Sequence, residues 1–327
     1  PEKAVKHCGP SPRTNSAAPV SALNPILMGT GAASQRRLSF VHYDVFASKV
    51  LEGNPLAVYW DGGSLTTAEM QAIAREMNLS ETTFILPRDE PTEKQKGVRV
   101  RIFTVQEELP FAGHPTLGTA FALRGETGAS EVKLDLNVGT IRVTFEQADG
   151  LPVFGEMTQA DPVFGLTHDR GKIAEVTGIP LDDIHPELPV QTISTGLPFT
   201  ILPLRGLAAM RHLQINQAST TEYLNASGGK FLFCVSTETA DANARLHARM
   251  LFYNGEDPAT GSACGCAAAW MVANRVAQPE ERVLIEQGIE MKRPSRIFVR
   301  ASWRNDRVVN VRVGGNVVEV LRGELSF

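Results

Sequence analysis

Cysteine is scarce in this chain of 327 residues: Cys8, Cys234, Cys264 and Cys266 are its only four, and none falls between residues 9 and 233. Cys264 and Cys266 are spaced C-x-C within a helical stretch, which turns the two thiols away from each other. Zinc-type pairing is therefore excluded, and a reducing compartment is indicated. No apolar run reaches the length of a membrane span, since even the uncharged stretch 258–274 is short and rich in Gly, Ser and Ala. A strong excess of one charge is missing too. The formal charge is −4 and the pI about 6.0, and without an RNP, zinc-finger or basic-helix pattern this gives no footprint for nucleic acid. No Gly-rich phosphate loop opens a helix after the first strand, and strand, helix and strand do not alternate, which argues against a doubly wound α/β fold.

What is present is an ordinary globular composition, 43% hydrophobic and 21% charged, with enough chain for two lobes of normal size. Residues 1–37 differ from the rest. They carry Lys3, Lys6, Arg13, Arg36 and Arg37 against Glu2, a net +4 that leaves −8 for the remainder. This Ser/Ala-rich leader reads as a flexible tail, with an organelle-targeting segment as the alternative. The expected location is cytoplasmic.

The most organised stretch runs from Glu256 to Cys266. From 258 to 274 there is no formal charge and the side chains are small until Trp270 and Met271. Asp257 suits an N-cap and Pro258 the first helical position, so a helix is expected to begin at that pair and, being apolar all round, to lie inside a core. His114-Pro115-Thr116-Leu117-Gly118-Thr119-Ala120 repeats Asp257-Pro258-Ala259-Thr260-Gly261-Ser262-Ala263 as x-Pro-x-x-Gly-Ser/Thr-Ala, 143 residues apart. That period is too long for a solenoid and predicts two related halves, with His114 and Asp257 in equivalent places.

Strands are predicted at 38–46, 56–60, 80–86, 98–105, 131–136, 140–145, 190–194, 199–204, 230–235, 246–252, 283–286, 296–303, 307–313 and 317–325. Gly53-Asn54-Pro55 reads as a turn. Thr66 and Glu69 make a capping box ahead of Met70, Ile73, Ala74 and Met77 at helical spacing. Further helices are expected from 114 to near Gly125, at 169–176 and, more weakly, at 206–215 and 220–225. Strands outnumber helices and each half holds one apolar helix to be wrapped. The expected fold is α+β: two pseudo-symmetric lobes, 38–147 (completed by a last strand at 319–327) and 148–318, each a curved, mostly antiparallel sheet around a central helix. Paired helix starts would offer amides and positive dipole ends to a carboxylate between the lobes.

Several motifs carry a family resemblance. Gly53-Asn54-Pro55-Leu56-Ala57-Val58, Asn78-Leu79-Ser80-Glu81-Thr82-Thr83-Phe84, Arg101-Ile102-Phe103-Thr104, Glu108 to Gly118, Thr195-Gly196-Leu197-Pro198, Glu256 to Ala263, Gln287-Gly288 and Arg293-Pro294-Ser295 resemble the PhzF family, the phenazine-biosynthesis-type isomerases. The resemblance is collinear from about Leu38 to the C-terminus. Val105 stands where that family usually has Pro, a loop change remote from chemistry.

The resemblance implies the diaminopimelate epimerase-like fold, an active site between the lobes, a homodimer and no cofactor or metal. It implies catalytic roles for Glu81, His114, Asp257 and Ser262, with Glu81 moving a proton between carbons of a small unsaturated cyclic carboxylate. Gly113, Thr116, Gly118, Thr260 and Gly261 are expected to bind substrate. Trans-2,3-dihydro-3-hydroxyanthranilate is the best-known substrate the resemblance points to. From the residues alone Glu81 is an ordinary strand-end carboxylate. Related racemases draw one thiol from each half, and the Cys-free first half makes that chemistry a poor fit. A non-catalytic binding protein on the same scaffold is the other alternative.

Overall fold

The two small-residue segments form helices, Gly113–Arg124 and Gly261–Ala273, in the computed structural model, which describes residues 36–252 and 255–327. The expectations for the leader therefore fall almost wholly outside the described residues. A helix without a polar face has to be covered on all sides. Gly113–Arg124 packs against strands Arg37–Val45, Asn54–Tyr59, Glu131–Leu136 and Phe154–Thr158, and Gly261–Ala273 against Val190–Ser194, Pro198–Pro203, Ser295–Arg304 and Arg307–Gly315. Every residue of the second helix from Gly261 to Val272 is buried.

Each half is thus a curved, mostly antiparallel sheet around a helix, and the halves follow one plan. In each, two strands run parallel beside the site, with Leu56 opposite Glu81 in one half and Phe199 opposite Phe231 in the other. The last strand, Val317–Ser326, returns to pair antiparallel with the first, Leu38 opposite Leu325. Phe154–Thr158 pairs on one side with Gly139–Glu146 and on the other with Arg307–Gly315, which makes the sheet continuous.

The Thr66 capping box forms as expected, the Thr66 hydroxyl accepting from the Glu69 amide and the Glu69 carboxylate from the Thr66 amide. Helix Glu90–Lys96, which buries no residue, and strands Phe154–Thr158 and Val163–His168 are not among the expected elements.

Two expectations are corrected. The second helix does not start at Asp257-Pro258. Asp257 ends a short strand, Gly255–Asp257, and the helix begins at Gly261 after Thr260, which makes no side-chain cap. Gln287 accounts for the delay: its Nε2 donates to the Asp257 carbonyl (2.7 Å) and its Oε1 accepts from the Thr260 amide (3.0 Å), so the turn is tied to a neighbouring strand rather than to a helix.

The repeat also has a different register in space. Ile102 pairs with Leu109 as Met250 pairs with Asp257, and Phe103 with Glu108 as Leu251 with Glu256. The Arg101 guanidinium holds Glu108 by two bonds (2.9 and 2.5 Å), just as that of Arg249 holds Glu256 (2.8 and 2.7 Å). The helices start at Gly113 and Gly261. All these correspondences are 148 residues apart, not 143. The spatial partner of Asp257 is therefore Leu109, and that of His114 is Ser262.

Candidate active site

The two helix starts meet at two glycines. A Cβ on Gly113 would lie 2.5 Å from the Gly261 carbonyl carbon and 2.5 Å from the Ser262 nitrogen, so this crossing admits no side chain. Both clashes are with backbone, which cannot swing aside. Gly113→Ala should cost about 1–3 kcal/mol, read as a lower thermal midpoint. By contrast, a Cβ on Gly118 would meet only the ends of Leu56 and Val45 (2.5 and 2.8 Å).

Beside the crossing lies a cavity of about 30 Å³ lined by Glu81, Thr104, Leu109, Ala112, Leu197, Phe199, Phe231, Met250, Phe252, Asp257, Thr260 and Ser262. Glu81 is the first residue of strand Glu81–Leu86, and its Oε2 lies 3.6 Å from His114 Nε2. Neither atom has a hydrogen-bond partner, and both side chains are largely buried, at 14% and 3% exposure. His114 is the second residue of its helix. Asp257 joins this group through Asn54, whose Nδ2 donates to Asp257 Oδ1 (2.6 Å) and to the Ala259 carbonyl (2.9 Å) and sits 3.1 Å from His114 Nδ1. The Thr260 hydroxyl donates to Asp257 Oδ2 (2.6 Å).

Asn54 Nδ2 has two protons for three neighbours, so Asp257, Ala259 and the His114 ring share them. His114 Nε2, without a hydrogen-bond partner, faces Glu81. Burial drives His114 down to about 3, which keeps the ring neutral.

Burial first, and then the negative charge of Asp257, holds Glu81 well above the usual carboxylate range. Burial also lifts Asp257, to about 6, although bonds from Thr260, Asn54 and Ser80 pull it down. Of the two carboxyls, Asp257 has the donors that favour ionisation and Glu81 does not, so the proton of the pair rests on Glu81.

Of the expected residues, Glu81, His114, Asp257, Ser262 and Thr260 come together here, and Gly113 and Gly261 form the crossing beneath them. Thr116 and Gly118 lie elsewhere. The Thr116 hydroxyl donates to the Ala112 carbonyl within its own helix (2.6 Å), and Gly118 packs on Leu56 and Val45. Neither lines the cavity. Cys264 and Cys266 are fully buried in the helix, and burial pushes both thiols up, Cys266 to about 11, which leaves them un-ionised and unreactive. Among the described residues no group of three His, Cys, Asp or Glu could hold a metal ion, and no helix is long and apolar enough to cross a membrane. Sequence reasoning missed Asn54 and Gln287 as site builders. The one signal was their presence in the quoted motifs.

Residues 43–323 match the family described as phenazine biosynthesis-like protein, PhzC-PhzF. An uncharacterized isomerase of Mesorhizobium japonicum is 37% identical over 88% of this chain and 98% of its own length. The trans-2,3-dihydro-3-hydroxyanthranilate isomerase of Pseudomonas chlororaphis is 35% identical over 88% of this chain and 98% of its own. The crystal structure of a Bacillus anthracis phenazine biosynthesis protein, PhzF family, superposes with a TM-score of 0.78 at 26% identity, covering 89% of this chain and 99% of that one. A probable proline racemase from Agrobacterium radiobacter shares the fold at a TM-score of 0.60 and 12% identity, covering 88% and 92%.

Proposed function

Because this chain belongs to the phenazine biosynthesis-like PhzC-PhzF family and is an isomerase, we propose that it shifts a proton, and with it a double bond, in a small unsaturated cyclic carboxylate, with Glu81 as the only acid/base and no cofactor. The observation that carries the reading is the burial of the Glu81 carboxyl beside His114 Nε2 at 3.6 Å, with Glu81 Oε2 unpartnered. In the base form, Glu81 takes a proton from a tetrahedral ring carbon. The C–H electron pair enters the π system, the double bond moves, and the proton leaves Glu81 for the carbon at the far end. Atoms and charge balance without an electron acceptor. An elevated Glu81 pKa suits both halves of the exchange, since a strong base accepts the proton and a poised acid returns it. His114, neutral and buried, stands 3.6 Å from the Glu81 carboxyl and holds it in place, and Asn54 in turn holds the imidazole.

Phe84 pairs with Arg101 as Cys234 pairs with Arg249, so three residues back Phe231 takes the place of Glu81 in the second half, and the other carboxyl lining the cavity, Asp257, is engaged by Asn54 and Thr260. The proton is taken and returned on one face, the outcome of an isomerase and not of a two-thiol racemase. Glu81 turned toward His114 also speaks against a binding protein with an idle site. At about 30 Å³ the cavity is roughly tenfold smaller than ordinary ligand sites, so substrate enters only when its walls move apart.

The test is turnover of trans-2,3-dihydro-3-hydroxyanthranilate by protein stripped with chelator and free of nucleotide or flavin, followed by NMR in D2O. Product with the shifted double bond is expected, with any solvent deuterium confined to the carbon that Glu81 protonates. Absence of turnover, or a requirement for an added cofactor, overturns the reading. The Asp257 charge supplies a second check. Ionised Glu81 is needed as the base, so kcat/KM should rise with pH through its elevated pKa. Asp257→Asn removes a like charge, and the acidic limb should move to lower pH even as the maximum falls.

A further inference from the structure

We propose that Gln287 is a positioning residue of this site: by donating to the Thr260 hydroxyl it turns that hydroxyl's own proton onto Asp257, and so holds Asp257 as an acceptor-only carboxylate beside Glu81. The inference rests on the reading of Glu81 as the proton carrier, since it says what keeps the neighbouring carboxyl from sharing that proton.

Gln287 ends strand Val283–Gln287 and is fully buried opposite Ser295. The backbone decides which way its amide points. The Thr260 amide can only donate, so the atom that meets it at 3.0 Å is Oε1, and the Asp257 carbonyl can only accept, so the atom 2.7 Å from it is Nε2. The second Nε2 proton then goes to the Thr260 hydroxyl oxygen at 2.9 Å. That hydroxyl has one proton of its own, and Asp257 Oδ2 stands at 2.6 Å to accept it. Asn54 Nδ2 donates to the other oxygen, Oδ1. Both oxygens of Asp257 thus face donors, and a protonated Asp257 would have to break one of these bonds to place its hydrogen.

The turn that carries these groups is held by the residues that follow Gln287. The Ser295 hydroxyl donates to the Pro258 carbonyl (2.7 Å), and a Cβ on Gly288 would lie 2.6 Å from that carbonyl oxygen and 2.4 Å from that of Arg293. Gln287, Gly288 and Ser295 therefore fix 257–260 together. The titratable groups around Asp257 are Glu81 from its strand, His114 from the first helix through Asn54, Cys264 from the second helix, and Glu256 beside it, held in the fork of Arg249. Among the described residues none of these is bonded to Gln287, which does not line the cavity. Its route to the Asp257 carboxylate is the Thr260 hydroxyl.

The experiment follows the side-chain carboxyl carbon of Asp257 by NMR across pH, in protein labelled at aspartate, with the signal assigned by its loss in Asp257→Asn. Gln287→Glu keeps the acceptor for the Thr260 amide but puts a second acceptor where Nε2 was a donor, so the Thr260 proton is drawn away from Asp257. The Asp257 midpoint should rise by about one pH unit, the size expected when a charged form loses one hydrogen bond. Thr260→Val should raise it in the same way, and Thr260→Ser should leave it as in wild type. Adding Gln287→Glu to Thr260→Val should raise it by no more than about half the shift that Gln287→Glu causes alone, because the two act along one chain. An equal rise in both backgrounds, the mark of charge acting through space, overturns the proposal. So does an unmoved midpoint in Gln287→Glu or Thr260→Val, which would leave Gln287 a purely structural residue. If Gln287→Glu does not fold, Gln287→Met removes the donor without adding charge and is held to the same outcomes. The midpoint is read without substrate, so a wild type that fails to isomerise, or a Glu81→Gln variant that isomerises normally, condemns the catalytic reading and leaves the Gln287 relay standing.

Discussion

Glu81→Gln should lower turnover by about 10²- to 10⁴-fold, the span that positioned general acid/base groups contribute, and should do so without weakening the fold. The substitution keeps size and shape while removing the ability to hold or release the proton. Deuterium uptake from D2O into product should fall in step with turnover. A variant that exchanges as fast as wild type would show that another group carries the proton. Stability separates this outcome from a folding defect. Glu81 is held above its unfolded pKa by burial and by Asp257. The native state therefore retains a proton that the unfolded chain gives up. Stability linked to Glu81 is fully present below about pH 4.5 and is lost as pH rises through the elevated native value. Gln titrates nowhere in this range. Above pH 4.5 the variant should grow steadily more stable relative to wild type, and thermal midpoints at pH 4.5 and pH 8 measure the difference.

Much of this site was visible in the sequence, and what was hidden has physical reasons. The two apolar helices announced themselves by lacking a polar face, and the Thr66 capping box by its spacing. The repeat was visible too, but in the wrong register. The motif x-Pro-x-x-Gly-Ser/Thr-Ala falls differently in the two halves: Pro115 is the third residue of its helix, whereas Pro258 lies in a turn before the helix begins. Proline and Gly-Ser/Thr-Ala suit both settings, so the match in letters does not bring the backbones into register. The strand pairings and the two Arg–Glu forks do, and those are long-range facts.

Asn54 was hidden by its neighbours, because Gly-Asn-Pro is a turn signal. In the structure Asn54 opens strand Asn54–Tyr59, fully buried, and a buried amide must spend its protons on specific acceptors. Glu81 looked ordinary since no local pattern records burial or the approach of Asp257 from 176 positions away. Helix Glu90–Lys96 was missed for the opposite reason. It buries nothing and has no apolar period, and it stands on its Asp89 cap, where the carboxylate accepts from the Thr92 amide at 3.0 Å.

His247→Leu should produce the largest loss of stability, because it strips the cation from a buried ionic chain that reaches the site. His247 is 1% exposed. Its Nδ1 bonds Glu286 (2.8 Å) and its Nε2 bonds Glu290 (3.1 Å), so the ring is held doubly protonated. Burial opposes that charge, yet the two carboxylates outweigh it and raise the imidazole to about 9. Glu286 also accepts from the amides of Ala240 and Asp241 (2.6 and 2.8 Å). Glu290 lies 3.9 Å from Arg249, whose fork on Glu256 anchors the strand that ends at Asp257.

Leucine would leave two largely buried carboxylates without their counter-charge, at a cost of about 3–5 kcal/mol. For a chain of this length that is a fall of roughly 10 °C in thermal midpoint. The pH dependence identifies the cause. A histidine raised from 6.5 to about 9 contributes fully below 6.5 and loses its contribution as pH rises through 9. Glu286 and Glu290 are held below their ordinary value by His247 despite burial, and their contribution fades as pH falls below about 4.5. The gap between wild type and His247→Leu should therefore be widest near pH 5.5–6.5 and narrow toward both pH 10 and pH 3.5. A gap independent of pH would mean that His247 acts by packing alone. Loss of the Glu290–Arg249–Glu256 alignment should also lower kcat at temperatures where the variant is folded, since Asp257 would no longer be held against Asn54.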